Sequence, residues 1–138
     1  ASMGAVGFQK GLGAIHAMSH PVSALYDSHH GLTNAVVMPY VLIRNRIAIE
    51  EKLTRMSLYL GLASETSKGF DAFVDWVLDL RKTFEMPHTL IELGVEESQI
   101  DDLAEAAAID PTSIANPVKL DEADYRTLYK KAFTGDLS

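Results

Sequence analysis

The sequence contains no cysteine, and this absence excludes several kinds of protein at once. Without thiols there is no disulfide framework and no thiolate ligand for zinc or for an iron–sulfur cluster. A chain without disulfides fits a reducing compartment, so we expect the protein to be cytoplasmic.

Positive charge is also scarce in this chain. Its 138 residues include 12 lysines and arginines against 19 aspartates and glutamates, which gives a net charge of −7 and a pI near 5.1. Binding to nucleic acid or to an anionic membrane depends on cationic side chains that neutralise phosphates. We therefore expect no nucleic acid and no membrane as a partner.

No hydrophobic run is long enough to span a bilayer. The longest strongly apolar window covers residues 35–43, whereas a spanning helix needs roughly 20 apolar residues. The N-terminal stretch is interrupted by Gln9, Lys10 and His16 and does not resemble a signal peptide. A length of 138 residues with 47% hydrophobic content instead predicts one globular domain with its own core.

Apolar residues recur at helical spacing, and no alternating strand pattern is long enough to assign. We expect a first helix over residues 3–20 that buries Val6, Ile15 and Met18. Its four glycines are costly in a helix, so tertiary packing must hold it. Pro21 predicts a kink or a break directly after this helix, because proline cannot donate a backbone hydrogen bond.

Further helices are predicted along the rest of the chain. In the helix predicted over residues 49–62 we expect Met56 and Leu60 on the buried side. In the helix predicted over residues 65–84 we expect Ser64 as the N-cap and Trp76 in the core. The pattern as a whole predicts an all-α, helical bundle-like domain of six to eight helices without an internal domain boundary. The predicted ranges are 32–45, 49–62, 65–84 and 96–108, followed by segments capped by Asp110 and Asp121 that end before Gly135.

Four of the five histidines, at positions 16, 20, 29 and 30, fall within fifteen residues. Imidazole is the commonest neutral metal ligand and titrates nearest physiological pH, so this cluster is the candidate functional site. His16 and His20 are four residues apart and share a helix face, whereas the adjacent His29 and His30 diverge. The spacing alone leaves open whether these histidines bind a metal or are structural, and which of the adjacent pair faces the cluster.

Around these histidines the sequence resembles the signature of the iron-containing, group III alcohol dehydrogenases. The matching segments are GLGAIHAMSHP at residues 11–21, YDSHHGLTNA at 26–35 and MPYVL at 38–42. The resemblance implies an enzyme whose N-terminal domain holds NAD or NADP. It also implies a helical C-terminal domain with a dehydroquinate synthase-like fold, truncated here at its N-terminus, which holds one divalent metal ion. The implied reaction transfers hydride between a small primary alcohol or aldehyde and the nicotinamide.

The resemblance also assigns roles to individual histidines. His16 and His30 match the last two of the family's four metal ligands, which are one aspartate and three histidines. His20 matches the histidine that faces the nicotinamide and the substrate, so it is implied in catalysis and in cofactor binding. His29 matches a position that is not a ligand. The implied metal is Fe2+, with Zn2+ as the alternative.

Two features of that family are missing from this sequence. The first two metal ligands come from an Asp-x-x-x-His helix, and no histidine here has an aspartate four residues before it. The glycine-rich phosphate loop of the nucleotide-binding domain is missing as well. We therefore expect residues 1–138 to be a partial C-terminal helical metal-binding domain without its N-terminal nucleotide-binding domain, and to be inactive alone.

Other interpretations of the same residues stay open. A shortened form of a longer enzyme is favoured over a naturally short product, because half of the metal ligands are missing while the helical core is present. A non-catalytic helical module for metal binding or assembly is one alternative. A fragment of a zinc-dependent polyol dehydrogenase relative is another, since imidazole suits both metals. An apolar face left uncovered by the missing part favours self-association, so we expect a homo-oligomer.

Overall fold

A computed structural model describes residues 2–138, and over that range the chain forms seven α-helices and four short 3-10 helices without a strand. This architecture confirms the prediction of an all-α domain with six to eight helices. Within the same range, no helix is long and apolar enough to cross a membrane. In chain order the helices are α1 (Ser2–Gln9), α2 (Ala14–Tyr26), α3 (His30–Arg44), α4 (Arg46–Tyr59), α5 (Gly69–Thr83), α6 (Ile100–Ile109) and α7 (Glu122–Thr134).

The core lies where α2, α3, α6 and α7 meet. Alanines line the contact of α2 with α6, and Ala14, Ala17, Ala104 and Ala107 are all completely buried. Small side chains let two helices approach closely, and larger side chains then fill the space around them at high density. The largest fully buried side chains include Tyr125, Tyr129, Met18, Leu90, Val22, Val36 and Val37.

The prediction of one helix over residues 3–20 is wrong, because α1 and α2 are separate helices. Gly11, between them, has a φ of +86°, in the left-handed region that favours glycine. A Cβ at Gly11 would also lie 2.7 Å from the Cβ of Ala115, so the chain turns where only glycine fits. No described residue of α1 is buried, and Val6, predicted to be inside, is 60% exposed.

Of the kink or break predicted at Pro21, the break is wrong, since α2 continues through this proline to Tyr26. A proline inside a helix costs about 3 kcal/mol, because it removes a backbone hydrogen bond and crowds the preceding turn. Met18 and Val22, on either side of it, are fully buried. Burying each such side chain contributes about 1.5–3 kcal/mol, which offsets that cost. The helix ends instead before Asp27, whose left-handed φ of 49° turns the chain toward α3.

Helices α4 and α5 pack against each other and against α3. Their closest contact uses small residues: Ser57, the one buried residue of α4, donates a hydrogen bond from Oγ to the carbonyl of Gly69 at 2.6 Å. This contact determines which face of α4 packs on α5. Met56 and Leu60 lie outside that packed face. They are 43% and 48% exposed, so the prediction that they are buried is wrong.

Two predictions about α5 also need correction. The helix begins at Gly69, after a 3-10 turn at Thr66–Lys68, and not directly after Ser64. Trp76, predicted to be in the core, is 37% exposed and packs at a tilt on Phe73, with ring centroids 5.5 Å apart. It lines an open apolar groove together with Met38 and Leu42 of α3.

The capping signals in the C-terminal third agree with the structure. Asp110 accepts a hydrogen bond from the backbone N–H of Thr112 at 2.8 Å and caps a 3-10 helix at Pro111–Ala115. Asp121 forms a capping box at the start of α7, and the helix ends at Gly135 in a left-handed conformation. Local hydrogen bonds by side chains decide these ends, so they are readable from sequence.

We expect Gly69→Ala to destabilise the fold by about 1–3 kcal/mol, because overpacking forces neighbouring atoms apart. A Cβ at this position would lie 2.6 Å from Cγ2 and 2.8 Å from Cα of Thr54. Urea unfolding measures the change in the free energy of unfolding. Gly7→Ala is the matched control, since no atom lies within 4 Å of a Cβ at that helical position. Equal losses in the two variants would contradict close packing of α4 on α5.

Candidate metal and catalytic site

Three histidines meet beside the turn between α2 and α3. His16 and His20 lie one turn apart on α2, and His30 is the first residue of α3. Because the chain reverses at Asp27, α3 returns alongside α2. The ring centroids of His16 and His30 are 5.2 Å apart, those of His20 and His30 5.3 Å, and those of His16 and His20 5.9 Å. The fold thus brings together the three histidines to which the resemblance assigns roles.

The side-chain amide of Asn34 lies between two of these rings. Its Nδ2 is 3.4 Å from Nε2 of His16 and 3.1 Å from Nε2 of His30, so both Nε2 atoms face the same point. The direction of these two hydrogen bonds depends on the tautomer of each imidazole. The other ring nitrogen of His30, Nδ1, lies 3.4 Å from Oγ of Ser19. Ser19 in turn donates to the carbonyl of His16 at 3.2 Å.

This donor arrangement fits part of a metal site. A metal binds the unprotonated nitrogen of a neutral imidazole, and partners of the other nitrogen hold the ring in place. Burial, and then the nearby His30 and His20, lower the pKa of His16, which favours the neutral ring. Oδ1 of Asn34 is buried beside these rings without a hydrogen-bond partner among residues 2–138. The two imidazole nitrogens by themselves are donors of the kind that a divalent metal ion binds.

The described residues supply two converging nitrogens and not a full ligand set. Within residues 2–138, no group of three or more histidine, aspartate and glutamate side chains is arranged to hold a metal ion. The third ring of the cluster, His20, has a different partner: its Nδ1 lies 2.8 Å from Oδ2 of Asp110. Its side chain is 40% exposed, whereas that of Asp110 is 13% exposed. The geometry therefore separates a pair, His16 and His30, from a third histidine with its own carboxylate.

Asp110 is held from two sides. Its Oδ1 accepts hydrogen bonds from the backbone N–H and from Oγ1 of Thr112, at 2.8 and 2.5 Å, while Oδ2 faces His20. Burial raises the pKa of the Asp110 carboxyl, but the hydrogen bonds from Thr112 and His20 outweigh it and leave the pKa below its ordinary value. The carboxylate is thus ionised near neutral pH and accepts on both oxygens.

The remaining histidines lie apart from this cluster. His29 is the N-cap of α3, and its Nδ1 accepts a hydrogen bond from the N–H of Leu32 at 3.3 Å. The adjacent His29 and His30 therefore diverge, as expected for neighbouring residues. His88 lies in the loop before a 3-10 turn, where its carbonyl accepts a hydrogen bond from the hydroxyl of Tyr40 at 3.0 Å.

Sequence reasoning assigned no role at this site to three residues that the structure places there. Asn34 follows His30 by four residues, so helical spacing already places the two side chains on one face of α3. Ser19 lies three residues after His16 on α2, and the same spacing was available to find it. Asp110 gave only a capping signal, because its contact with His20 spans 90 positions of sequence and depends on how α6 packs on α2.

Comparison with known proteins identifies the family. Residues 2–133 match the profile of the Fe-containing alcohol dehydrogenase family, C-terminal. The chain is 33% identical over 125 residues to the 1,3-propanediol dehydrogenase of Citrobacter freundii, covering 88% of this chain and 32% of that protein. The crystal structure of a 1,3-propanediol oxidoreductase superposes with a TM-score of 0.82 at 32% identity, over 88% of this chain and 33% of that one.

A third relative was crystallised with a nucleotide. The sulfoacetaldehyde reductase from Bifidobacterium kashiwanohense, in complex with NAD+, has a TM-score of 0.75 at 25% identity, over 90% of this chain and 31% of that one. The chain therefore belongs to the iron-containing alcohol dehydrogenase family. It spans about a third of the length of the relatives it matches.

Helix α2, which carries two of the clustered histidines, is anchored at its start and its middle. The backbone N–H of Ala14 donates to Oδ1 of Asn116 at 3.1 Å, which replaces the side-chain cap that Gly13 lacks. The hydroxyl of the fully buried Tyr129 donates to the carbonyl of Met18 at 2.7 Å. These two bonds fix α2 against the C-terminal third of the chain and so fix the direction of its histidines.

We expect Tyr129→Phe to lower the free energy of unfolding by about 1–3 kcal/mol, because the carbonyl of Met18 loses a buried partner. Chemical denaturation measures the loss. Tyr59→Phe makes the same chemical change at a side chain that is 89% exposed, so it should leave stability unaltered. A Tyr129→Phe variant as stable as Tyr59→Phe would show that this bond does not anchor α2.

Proposed function

We propose that this chain is the helical metal-binding part of an iron-type, NAD(P)-dependent alcohol dehydrogenase. In this proposal residues 1–138 belong to the C-terminal domain, and the nucleotide-binding domain is formed by another part of the same polypeptide. Family membership supports the reaction class. The observation that carries the proposal is the convergence of Nε2 of His16 and Nε2 of His30 on one point.

His16 and His30 are the proposed metal ligands of this chain. Nε2 of both rings faces the side-chain amide of Asn34, and Ser19 supports the ring of His30 from its other nitrogen. Fe2+ is the favoured ion because of the family, and Zn2+ is the alternative because imidazole suits both. A divalent ion bound here supplies Lewis-acid polarisation of the substrate oxygen. Asn34 has to release the two Nε2 atoms for this binding, since its amide occupies their shared point.

His20 is the proposed catalytic histidine, and it also faces the cofactor. Its ring stacks on that of His30 at 5.3 Å with an angle of 18°, which places it next to a proposed ligand. Its exposed edge is available to a molecule that enters the site, and a histidine there can hold or pass the proton of an alcohol. The names of the relatives, a propanediol dehydrogenase and a sulfoacetaldehyde reductase, support small alcohols and aldehydes as the substrates.

Metal analysis of the full-length protein tests the ligand assignment. We expect His16→Ala and His30→Ala each to lower affinity for Fe2+ or Zn2+ by about 100-fold or more, since even the outer-shell partners of ligands account for 10- to 100-fold. The metal-to-protein ratio after dialysis measures this. His29→Asn is the matched control, because asparagine preserves the N-cap of α3. Equal metal loss in the control, or a wild type that binds no divalent ion, would refute the assignment.

The isolated 138-residue polypeptide should not reduce NAD+ or NADP+ in the presence of a small alcohol. The described residues provide two converging imidazoles and no group of three or more ligands, so the proposed ion would be held too weakly for turnover. Absorbance of the reduced nicotinamide measures the rate, with the full-length protein as the positive control. Alcohol-dependent reduction by the pure polypeptide would disprove the proposed division of the site between two parts of the enzyme.

A further inference from the structure

We propose that Asp110 is a positioning residue that holds the proton of His20 on Nδ1 and so presents Nε2 as a hydrogen-bond acceptor. The contact joins Oδ2 of Asp110 and Nδ1 of His20 at 2.8 Å. The effect on the reaction rests on the function proposed above. The position of the proton does not, because it follows from the contact itself.

The first step of the argument is the chemistry of the two atoms in contact. An ionised carboxylate has no proton to donate, so Nδ1 of His20 must be the donor. Hydrogen bonds from Thr112 keep the pKa of Asp110 low despite burial, in agreement with an ionised form. A neutral imidazole with its proton on Nδ1 carries its lone pair on Nε2. Nε2 of His20 has no hydrogen-bond partner within residues 2–138, so it is left free to accept one from a bound molecule.

The second step is that the carboxylate cannot move away from His20. Its other oxygen, Oδ1, accepts both hydrogen bonds from Thr112, and the side chain is only 13% exposed. Asp110 follows the last residue of α6 and precedes Pro111, whose ring restricts the backbone on both sides of the bond. Since α6 and the 3-10 helix after it both pack on α2, the distance between Asp110 and His20 is set by helix packing.

The third step separates this role from ordinary helix capping. As N-caps, aspartate and asparagine are about equally good, so capping alone does not require a carboxylate here. The two contacts of Asp110, however, require two hydrogen-bond acceptor atoms, one for the backbone N–H of Thr112 and one for the Nδ1–H of His20. Asparagine has only one oxygen. If that oxygen caps Thr112, its amide nitrogen faces Nδ1 of His20 and forces the imidazole proton to Nε2.

The substitution Asp110→Asn therefore tests the proposal in the full-length protein. Histidine labelled with 15N reports, through long-range 1H–15N correlation, which ring nitrogen carries the proton in the neutral imidazole. We expect the Nδ1–H form for His20 in the metal-free wild type and the Nε2–H form in Asp110→Asn. The variant His20→Gln identifies the signal by its loss. A wild-type His20 in the Nε2–H form, or a tautomer unchanged by Asp110→Asn, would overturn the proposal.

A matched control makes the same chemical change at another N-cap. Asp121 caps α7 and accepts from the N–H of Asp124, without contact to a histidine. Asp121→Asn should leave the tautomer of His20 as in the wild type. Asp110→Ser is a second variant that keeps a capping oxygen but is too short to serve both partners, so it should lose the Nδ1–H preference as well. Retention of that preference in Asp110→Ser would contradict the proposal even if Asp110→Asn does not fold.

Kinetics with the metal-loaded full-length protein tests the consequence for the reaction. We expect Asp110→Asn to lower kcat about 100- to 10,000-fold, the usual range for a displaced proton-transfer group, with little change in KM or metal content. Asp121→Asn should not change kcat. An unchanged kcat in Asp110→Asn would refute the positioning role at the reaction centre. A wild type without dehydrogenase activity would refute the proposed function, while the tautomer measurement still decides where Asp110 holds the proton.

Discussion

The burial of α2 between α3 and α6 is the constraint on which the other features of this molecule depend. Completely buried alanines allow α6 to approach closely, and Tyr129 of α7 fixes the carbonyl of Met18. With α2 held in this way, His16 and His20 have a defined direction, and α3 returns beside them after Asp27. The helix tolerates Pro21 for the same reason, because packing on both sides outweighs one lost backbone hydrogen bond.

The close packing of α6 on α2 also has a chemical consequence. It brings the end of α6, and with it Asp110, to the exposed edge of the histidine cluster. One carboxylate then serves two elements, since one oxygen caps the following 3-10 helix and the other contacts His20. As a result, the three clustered histidines have two different environments. His16 and His30 face a shared point at the amide of Asn34, while His20 is oriented by a separate anion.

Much of the fold was predictable because the signals involved are local. Side-chain caps at Asp110 and Asp121 marked the starts of a 3-10 helix and of α7. The failures have a common cause in tertiary packing. The apolar stripe of α4 suggested burial of Met56 and Leu60, but the small residue Ser57 sets the contact with α5. The predicted first helix is interrupted near Gly11, whose positive φ and close approach to Ala115, far away in sequence, fit only glycine.

The sequence by itself determined the helical class of the chain, the histidine motif and, through that motif, the family. These three features depend on residue types at short spacings along the chain, which can be recognised without knowledge of the fold. Only the tertiary structure decided which nitrogens converge and which carboxylate orients His20, since Asp110 is 90 positions away. Contacts over such separations depend on how α2, α3 and α6 pack together, because the positions of the helix backbones decide which side chains lie within contact distance.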